Sequence, residues 1–185
     1  KMFWRGKTIL DLSRDFIETN GVKQKKALKV ALPKEEDNVF KATDQVKGSI
    51  KENWLNLAKD LNVASQKGLT ERFDSTIGKG TILMPLGGRY QLTPAEGMAA
   101  KLPVTNGETE TGTAMTYGYH PVISKWSPYH GAFYAVVDSV TKMVAMGGDY
   151  QGIRLSFQEY FEKLGDDPYR WGKPFIALLG ALKVQ

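Results

Sequence analysis

The sequence of 185 residues contains no cysteine, which excludes disulfide bonds and thiolate metal sites from this chain. Histidine is scarce as well, since only His120 and His130 are present. No apolar run approaches the ~20 residues that span a bilayer. The opening residues, KMFWRGKTIL, lack the charged, apolar and small-residue sections of a signal peptide. These absences predict a cytoplasmic protein that has no membrane partner.

The apolar content of 42% is enough for a buried core, and the formal net charge is +5. The densest basic cluster, Lys23–Lys26, lies beside a glycine and precedes the acidic run KEED, which is typical of a solvated connector. Its lysines are not interleaved with aromatic residues, as a platform that stacks bases requires. We therefore expect no nucleic-acid partner, whereas small anionic ligands fit the charge equally well.

The order of the predicted elements indicates an α+β fold, because short strands are grouped before helices. A short helix capped by Ser13 is followed by a polar connector that runs to Lys41. Apolar residues at helical spacing predict an amphipathic helix over Asp44–Leu61. The stretches GTILMPLGG, GMAAKLPV and GTAMTYGY are typical of strands and turns. Beyond them we expect a helix over Gly131–Gly148, a strand in IRLSF, and helices over Phe157–Leu164 and Tyr169–Val184.

Carboxylates provide the candidate metal ligands. Asp138 and Lys142 are four residues apart on one helix face, which is the spacing of an ordinary surface ion pair. Alternatively, Asp138 points into a nucleotide site and holds Mg²⁺ against phosphates. Asp74 has the same two interpretations, since it either hydrogen-bonds the following turn or provides a second metal ligand.

Two glycine pairs flank an apolar run, in GKG at 78–80 and GGR at 87–89. Such glycines let backbone N–H groups approach phosphate oxygens, while Lys79 and Arg89 supply positive charge. Neither stretch is a Walker motif or a dinucleotide fingerprint. Turns at strand ends explain the glycines equally well, so both interpretations stay open here.

The two histidines lie in YHPVISKWSPYHGAFY. Catalysis by them would need a nucleophile and a base partner, but the chain has no cysteine and no serine in a recognisable nucleophile setting. A metal pair would need a third ligand at a fixed spacing, which this loop does not provide. The residues themselves therefore predict no catalytic group, and indicate a loop before a helix whose N-terminus could bind an anion.

Three long stretches resemble large phosphoribosylformylglycinamidine synthases. They are SQKGLTERFDSTIGKGTILMPLGGRYQLTPAEGMAAKLPV, YGYHPVISKWSPYHGAFYAVVDSVTKMVAMGGDY and RLSFQEYFEKLGDDPYRWGKPFIALLGAL. The resemblance runs from about Asp44 to the end of the chain. It implies that residues 1–31 are the tail of a preceding synthetase-like domain, residues 32–43 a linker, and residues 44–185 an incomplete N-terminal domain of the second synthetase-like half.

The resemblance also implies a fold and a reaction. The fold is that of the aminoimidazole ribonucleotide synthetase N-terminal domain, a mixed sheet with helices packed on one face. The reaction is ATP-dependent C–N ligation, in which formylglycinamide ribonucleotide and glutamine-derived ammonia give formylglycinamidine ribonucleotide. The expected partners are the first synthetase-like half and a glutaminase domain, and the isolated piece is expected to form a homodimer. The alternative is a scaffold or auxiliary nucleotide-binding module that catalyses nothing itself.

Individual residues take their implied roles from the same resemblance. A domain at this place in relatives binds ATP or ADP with Mg²⁺ through residues at the positions of Asp74, Asp138 and Lys142. Relatives have Glu and Asn at the last two positions, so here a lysine ammonium stands where they bind the metal. Lys79, Arg89 and Lys142 are the expected nucleotide contacts. His120 matches a catalytic histidine of the first half, but Tyr119 replaces an Asn and bulky rings follow Ala132, so we expect a structural role.

Overall fold

The computed structural model describes residues 1–18, 25–41, 48–72 and 80–185. Asp74 and Lys79, two of the predicted site residues, lie outside the described residues. The division of the chain at residues 31 and 43 stays a prediction. Helices and strands alternate in groups along the described ranges, which confirms the predicted α+β class.

The chain begins with a hairpin of β1 (Met2–Trp4) and β2 (Lys7–Leu10). Its turn places Arg5 and Gly6 at φ values of 48° and 74°, in the left-handed region that tight hairpin turns use. The short helix α1 (Arg14–Glu18) follows. The Ser13 hydroxyl accepts a hydrogen bond from the Phe16 N–H at 3.1 Å, which confirms the predicted cap.

Residues 25–41, here called the connector strap, form one 3₁₀ turn (Glu35–Asp37) and otherwise extended chain. The strap is exposed along most of its length, as expected for a solvated connector, and it is also fixed to the C-terminal part of the chain. The Lys29 N–H donates to the Pro168 carbonyl at 2.9 Å, and Lys26 pairs with Asp166 at 2.8 Å. Phe40 packs against the rings of Trp126 and Tyr134.

Helix α2 (Ile50–Lys59) starts at a capping box in which Ser49 and Glu52 bond each other's backbone N–H groups. It confirms the central part of the helix predicted over Asp44–Leu61, of which residues 44–47 lie outside the described ranges. The single-turn helix α3 (Lys67–Thr70) comes next.

The central sheet has the strand order β3 (Thr81–Leu83), β6 (Gly97–Lys101) and β7 (Gly112–Thr116). A separate hairpin consists of β4 (Leu86–Gly87) and β5 (Thr93–Pro94). Every strand pair in the described residues is antiparallel, so the prediction of a mixed sheet is wrong for this part. The connections between paired strands hold no crossover helix, which parallel pairing would require.

The C-terminal half carries three helices, namely α4 (Pro121–Trp126), α5 (Pro128–Ala145) and α6 (Pro168–Val184). Helix α5 packs on β7 and against α6. Small residues let the backbones approach closely: a Cβ atom on Gly180 would overlap the Tyr129 carbonyl, and one on Gly172 would overlap the Lys29 carbonyl. Among the described residues, the buried hydrophobic side chains all belong to these helices, and they are Ile123, Val136, Ala177 and Ala181.

The strand predicted in IRLSF and the helix predicted over Phe157–Leu164 are both wrong. After a 3₁₀ turn at Tyr150–Gly152, the chain has no regular secondary structure until α6. Phe157 is 47% and Tyr160 90% exposed, so the apolar pattern has little surface to bury against, and burial is what stabilises most short helices. No helix in the described ranges combines the length and the apolar character needed to cross a bilayer.

Candidate functional site

The Lys142 side chain, on α5, forms ion pairs with two carboxylates. Its ammonium nitrogen lies 3.0 Å from a Glu96 carboxylate oxygen and 3.0 Å from a carboxylate oxygen of Asp138. It also donates a hydrogen bond to the Tyr117 carbonyl at 3.3 Å and lies 4.9 Å from the centre of the Tyr117 ring. We call Lys142, Glu96, Asp138 and Tyr117 the lysine cluster.

Three elements bring the lysine cluster together. Asp138 and Lys142 are one helical turn apart on α5, so their side chains emerge on the same face. Glu96 immediately precedes β6 and Tyr117 immediately follows β7, and the register pairs Gly97 with Thr116. The antiparallel pairing therefore places Glu96 and Tyr117 side by side at one end of the sheet.

Helix α5 is held over that end of the sheet by close contacts. The Thr116 hydroxyl donates to the Ser139 carbonyl at 2.7 Å. A Cβ atom on Gly118 would overlap the Ala135 carbonyl, so a glycine is needed where the chain leaves β7 and passes under the helix. These contacts fix the distance between α5 and the strand ends, and with it the position of the Lys142 ammonium.

The electrostatics of the cluster favour a charged lysine. Burial by itself lowers the pKa of Lys142, but the hydrogen bonds to Glu96 and Asp138 outweigh burial, and the net effect raises the pKa above its ordinary value of 10.5. The Lys142 side chain is 18% exposed, whereas those of Glu96 and Asp138 are 64% and 43% exposed. The ammonium is therefore enclosed by carboxylates that themselves reach water.

The predicted surface ion pair of Asp138 and Lys142 is present, and Glu96 extends it to a triad that the sequence analysis missed. Periodicity could not have found Glu96, because it lies in a turn 42 positions before Asp138 in the chain. The carboxylates of Glu96 and Asp138 both pair with the Lys142 ammonium. A protonated lysine has no lone pair with which to ligate a cation. Within the described residues no three His, Asp or Glu side chains gather as metal ligands. The Lys142 ammonium lies between these two carboxylates, while Asp74, the other predicted metal ligand, lies outside the described residues.

Arg89, a predicted nucleotide contact, lies in the turn between β4 and β5. Gly88 and Gln91 have φ values of 79° and 50° there, so the glycine serves the turn in the way expected for a strand end. The Arg89 guanidinium lies 5.6 Å from the centre of the Tyr90 ring and is exposed. In the described part of the chain, no ion pair joins Arg89 to the carboxylates of the lysine cluster.

Each histidine is engaged at the start of a helix. His120 is the N-cap of α4, and its Nδ1 accepts a hydrogen bond from the Ile123 N–H at 3.3 Å. Ser127 is the N-cap of α5 and accepts from the His130 N–H at 3.3 Å, while its hydroxyl lies 2.8 Å from His130 Nδ1. The His130 ring also stacks on Trp126, with centroids 5.0 Å apart.

The segment predicted as a loop forms helix α4 and the start of α5, and one ring nitrogen of each histidine is used locally, which agrees with a structural role. Ser127 is 3% exposed, which keeps its hydroxyl away from any substrate in solution. The sequence contains a signal for Ser127 as the N-cap of α5, since Ser followed by Pro is typical of an N-cap and the first helical position.

The sequence is similar to that of a curated protein. The chain is 23% identical over 153 residues to phosphoribosylformylglycinamidine synthase subunit PurL of Picrophilus torridus. The aligned region covers 83% of this chain but 20% of the relative, so the chain spans about one fifth of the length of that protein. No family model matches the chain, and no solved structure matches it.

Proposed function

We propose that this chain is a segment of a phosphoribosylformylglycinamidine synthase type of ligase. The observation that carries the proposal is the similarity to PurL over 83% of the chain, together with the three long stretches that resemble the same enzymes. In that setting, the whole enzyme uses ATP and glutamine-derived ammonia to convert formylglycinamide ribonucleotide to formylglycinamidine ribonucleotide. The segment works in the cytoplasm with the first synthetase-like half and a glutaminase domain as its partners.

Within such an enzyme, we assign the segment a supporting role. The lysine cluster supports this assignment, because the Lys142 ammonium takes up both Glu96 and Asp138. The Lys142 ammonium neutralises the negative charge of the carboxylates in the way that Mg²⁺ would. The site therefore needs no divalent ion to be stable. Asp74 and Lys79 remain proposed contacts to ATP or ADP, together with Arg89.

The alternative, a scaffold that binds no nucleotide, is favoured by the same observation. Phosphate groups near two carboxylates are repelled unless a metal bridges them, and here the bridging position is held by a lysine.

Calorimetric titration with ADP, with and without Mg²⁺, separates the two roles. If ADP binds equally well with and without Mg²⁺, and this binding is lost in Lys142→Met, the segment is a nucleotide-binding module. A scaffold gives no binding heat in either buffer. The exposed Lys51→Met is the matched control.

The ligase proposal itself is tested in the host cell by deleting the coding region of this chain. We expect a growth requirement for purines, accumulation of formylglycinamide ribonucleotide, and rescue of both by the intact gene. Growth without purines and without accumulation of that nucleotide would show that the chain has no part in this reaction.

A biochemical experiment then assigns the role of the segment. The purified chain is incubated with formylglycinamide ribonucleotide, ATP and ammonia, and phosphate release is measured. We expect no release above a blank prepared from cells that lack the coding region, since the resemblance places the ATP-binding domain of the first synthetase-like half outside this chain. Steady turnover by the purified chain would overturn the supporting role but not the ligase assignment.

A further inference from the structure

A cleft of about 750 Å³ lies between the connector strap and the C-terminal helices. Residues 31–34 and Asp37 of the strap line one side of it. Small residues of α5 and α6 line it as well, among them Ala135 and Ala177, of which Ala177 is 6% exposed. A volume of this size is typical of small-molecule sites. Because the strap forms part of the wall, a movement of the strap changes the access to the cleft.

The beginning of the strap is anchored in a notch on α6. The Lys29 N–H donates a hydrogen bond to the Pro168 carbonyl at 2.9 Å. The Lys29 carbonyl lies against Gly172, which is buried, and a Cβ atom on Gly172 would overlap that carbonyl. Glycine is unfavourable inside a helix, but here it lets the strap approach the helix backbone. Both backbone groups of Lys29 are therefore in contact with α6.

The later part of the strap has weaker contacts with the helices. The Trp126 indole N–H donates to the Lys34 carbonyl at 2.9 Å. The Phe40 ring packs against aromatic rings of α4 and α5 but is 52% exposed. Within the described part of the chain, residues 30–33 form no hydrogen bond. One side-chain hydrogen bond and one half-exposed ring therefore attach this part of the strap, whereas the notch encloses backbone.

We propose that the strap is a lid on the cleft. Residues 30–41 swing away from α4 and α5, while Lys29 stays in the notch on α6 and acts as the hinge. Segments with few buried contacts open locally at a lower free energy than the packed core does, and lids of this kind control access to binding sites. Opening removes one side of the cleft and uncovers the small residues of α5 and α6. This inference does not depend on the proposed ligase function.

Hydrogen exchange of single groups, measured by NMR on the intact chain, tests the hinge. The Trp126 indole N–H reports on the later part of the strap, and the Lys29 amide N–H reports on the notch. Relative to its unprotected rate, we expect the Trp126 indole to exchange at least about tenfold faster than the Lys29 amide. Equal protection of the two groups would show that the strap opens as one unit, which would overturn the hinge.

Phe40→Ala loosens the lid without touching the notch. We expect exchange of the Trp126 indole to become at least about threefold faster, because one aromatic contact is lost, and the Lys29 amide to stay unchanged. The Trp171 indole is the internal reference, since it donates to the Gly165 carbonyl at the same distance of 2.9 Å, in a bond that does not involve the strap. No change at Trp126, or equal acceleration of all three groups, would contradict the lid.

Thiol labelling tests access to the cleft, because the natural chain has no cysteine. Ala177→Cys places a thiol in the cleft. Val136→Cys is the matched control, since Val136 is 5% exposed and does not line the cleft. We expect Phe40→Ala to speed the reaction of iodoacetamide with the first thiol at least about threefold and to leave the second unchanged. The same change at both thiols, or none, would overturn the lid. The exchange experiment decides the proposal if a cysteine variant does not fold.

Discussion

The two ends of the chain differ in what holds their structure. No residue described between positions 1 and 72 is buried, although this region contains Phe3, Trp4, Phe16 and Trp54. Every buried residue of the described chain lies between Ile123 and Ala181. Local signals such as caps and tight turns form the elements of the first region, whereas helix packing forms those of the second.

Helices α2 and α5 differ in how much of their apolar surface is buried. Helix α2 has a complete capping box and an apolar side that includes Trp54, which is 73% exposed. Helix α5 buries Gly131 and Val136, and it packs against α4, α6 and β7. Isolated helices of ten residues are marginal in water. The difference implies that the apolar surface of the first region is available for contact with another surface, and that the second region is the stable core.

The largest expected effect comes from disturbing the packed region. Gly180→Ala places a methyl group against the Tyr129 carbonyl, a backbone atom that cannot move without displacing α5. We expect a loss of about 1–3 kcal/mol in the free energy of unfolding, measured with urea.

Gly68→Ala is the matched control, because nothing lies within 4 Å of the added Cβ atom. It should be neutral or stabilising by up to ~1 kcal/mol, since alanine is the better helix former. Equal losses in the two variants would show that packing does not distinguish the two regions.

The next effect concerns the sheet face that α5 does not cover. Thr116 bonds α5, so its neighbour Met115 points to the opposite face, where it stands across from Met98. Met115 is 61% exposed. We expect the chain to form a homodimer through this face, and Met115→Lys to raise its dissociation constant at least about tenfold, measured by sedimentation velocity.

Trp54→Lys serves as the control for this experiment, since it places the same charge on the apolar side of α2. A wild-type chain that stays monomeric at high concentration would contradict the dimer. If Trp54→Lys weakens association and Met115→Lys does not, the dimer interface lies in the first region.

How far the sequence could predict this structure depends on the range of the interactions. The Ser13 cap and helix α2 rest on neighbouring residues, and α6, although it packs on α5, is long enough for its own sequence to indicate a helix, so all three were predicted. The antiparallel sheet and the position of Glu96 beside Lys142 depend on strand register, which no local pattern specifies. The strand predicted in IRLSF and the helix predicted over Phe157–Leu164 did not form, because apolar side chains such as Phe157 and Tyr160 stay largely exposed and no packing surface stabilises a regular element there. The strap was predicted as a solvated connector from its lysine-rich composition. This composition does not reveal the contacts that its backbone groups and Phe40 make.

A smaller effect is expected at the lysine cluster. Lys142→Asn leaves Glu96 and Asp138 without their shared cation, and we expect a loss of about 1 kcal/mol, since both carboxylates are partly exposed. Mg²⁺ should then bind the two carboxylates and raise the thermal midpoint of the variant, because a ligand of the folded state stabilises it. The wild-type midpoint should not respond to Mg²⁺. The same response in both proteins would show that the lysine does not replace a metal.

The pH dependence of this contribution has a defined sign. The pKa of Lys142 is raised in the folded state above 10.5, so its stabilising effect is fully present below that pH and is lost as pH rises through the folded pKa. The difference in unfolding free energy between wild type and Lys142→Met should therefore be constant from about pH 7 to pH 9 and shrink above about pH 10.5. A difference that falls steadily across the neutral range would assign the effect to another group.

The smallest effect is expected at the most exposed tryptophan of the first region. Trp54 is 73% exposed, so Trp54→Ser leaves no cavity and should change the free energy of unfolding by less than about 0.5 kcal/mol. Val136→Ala, at a side chain that is 5% exposed, removes buried methyl groups and should cost about 1–3 kcal/mol. Both are measured by urea unfolding at a concentration where the chain is monomeric. If Trp54→Ser costs as much as Val136→Ala, the apolar side of α2 is covered in the monomer, and the two regions share one core.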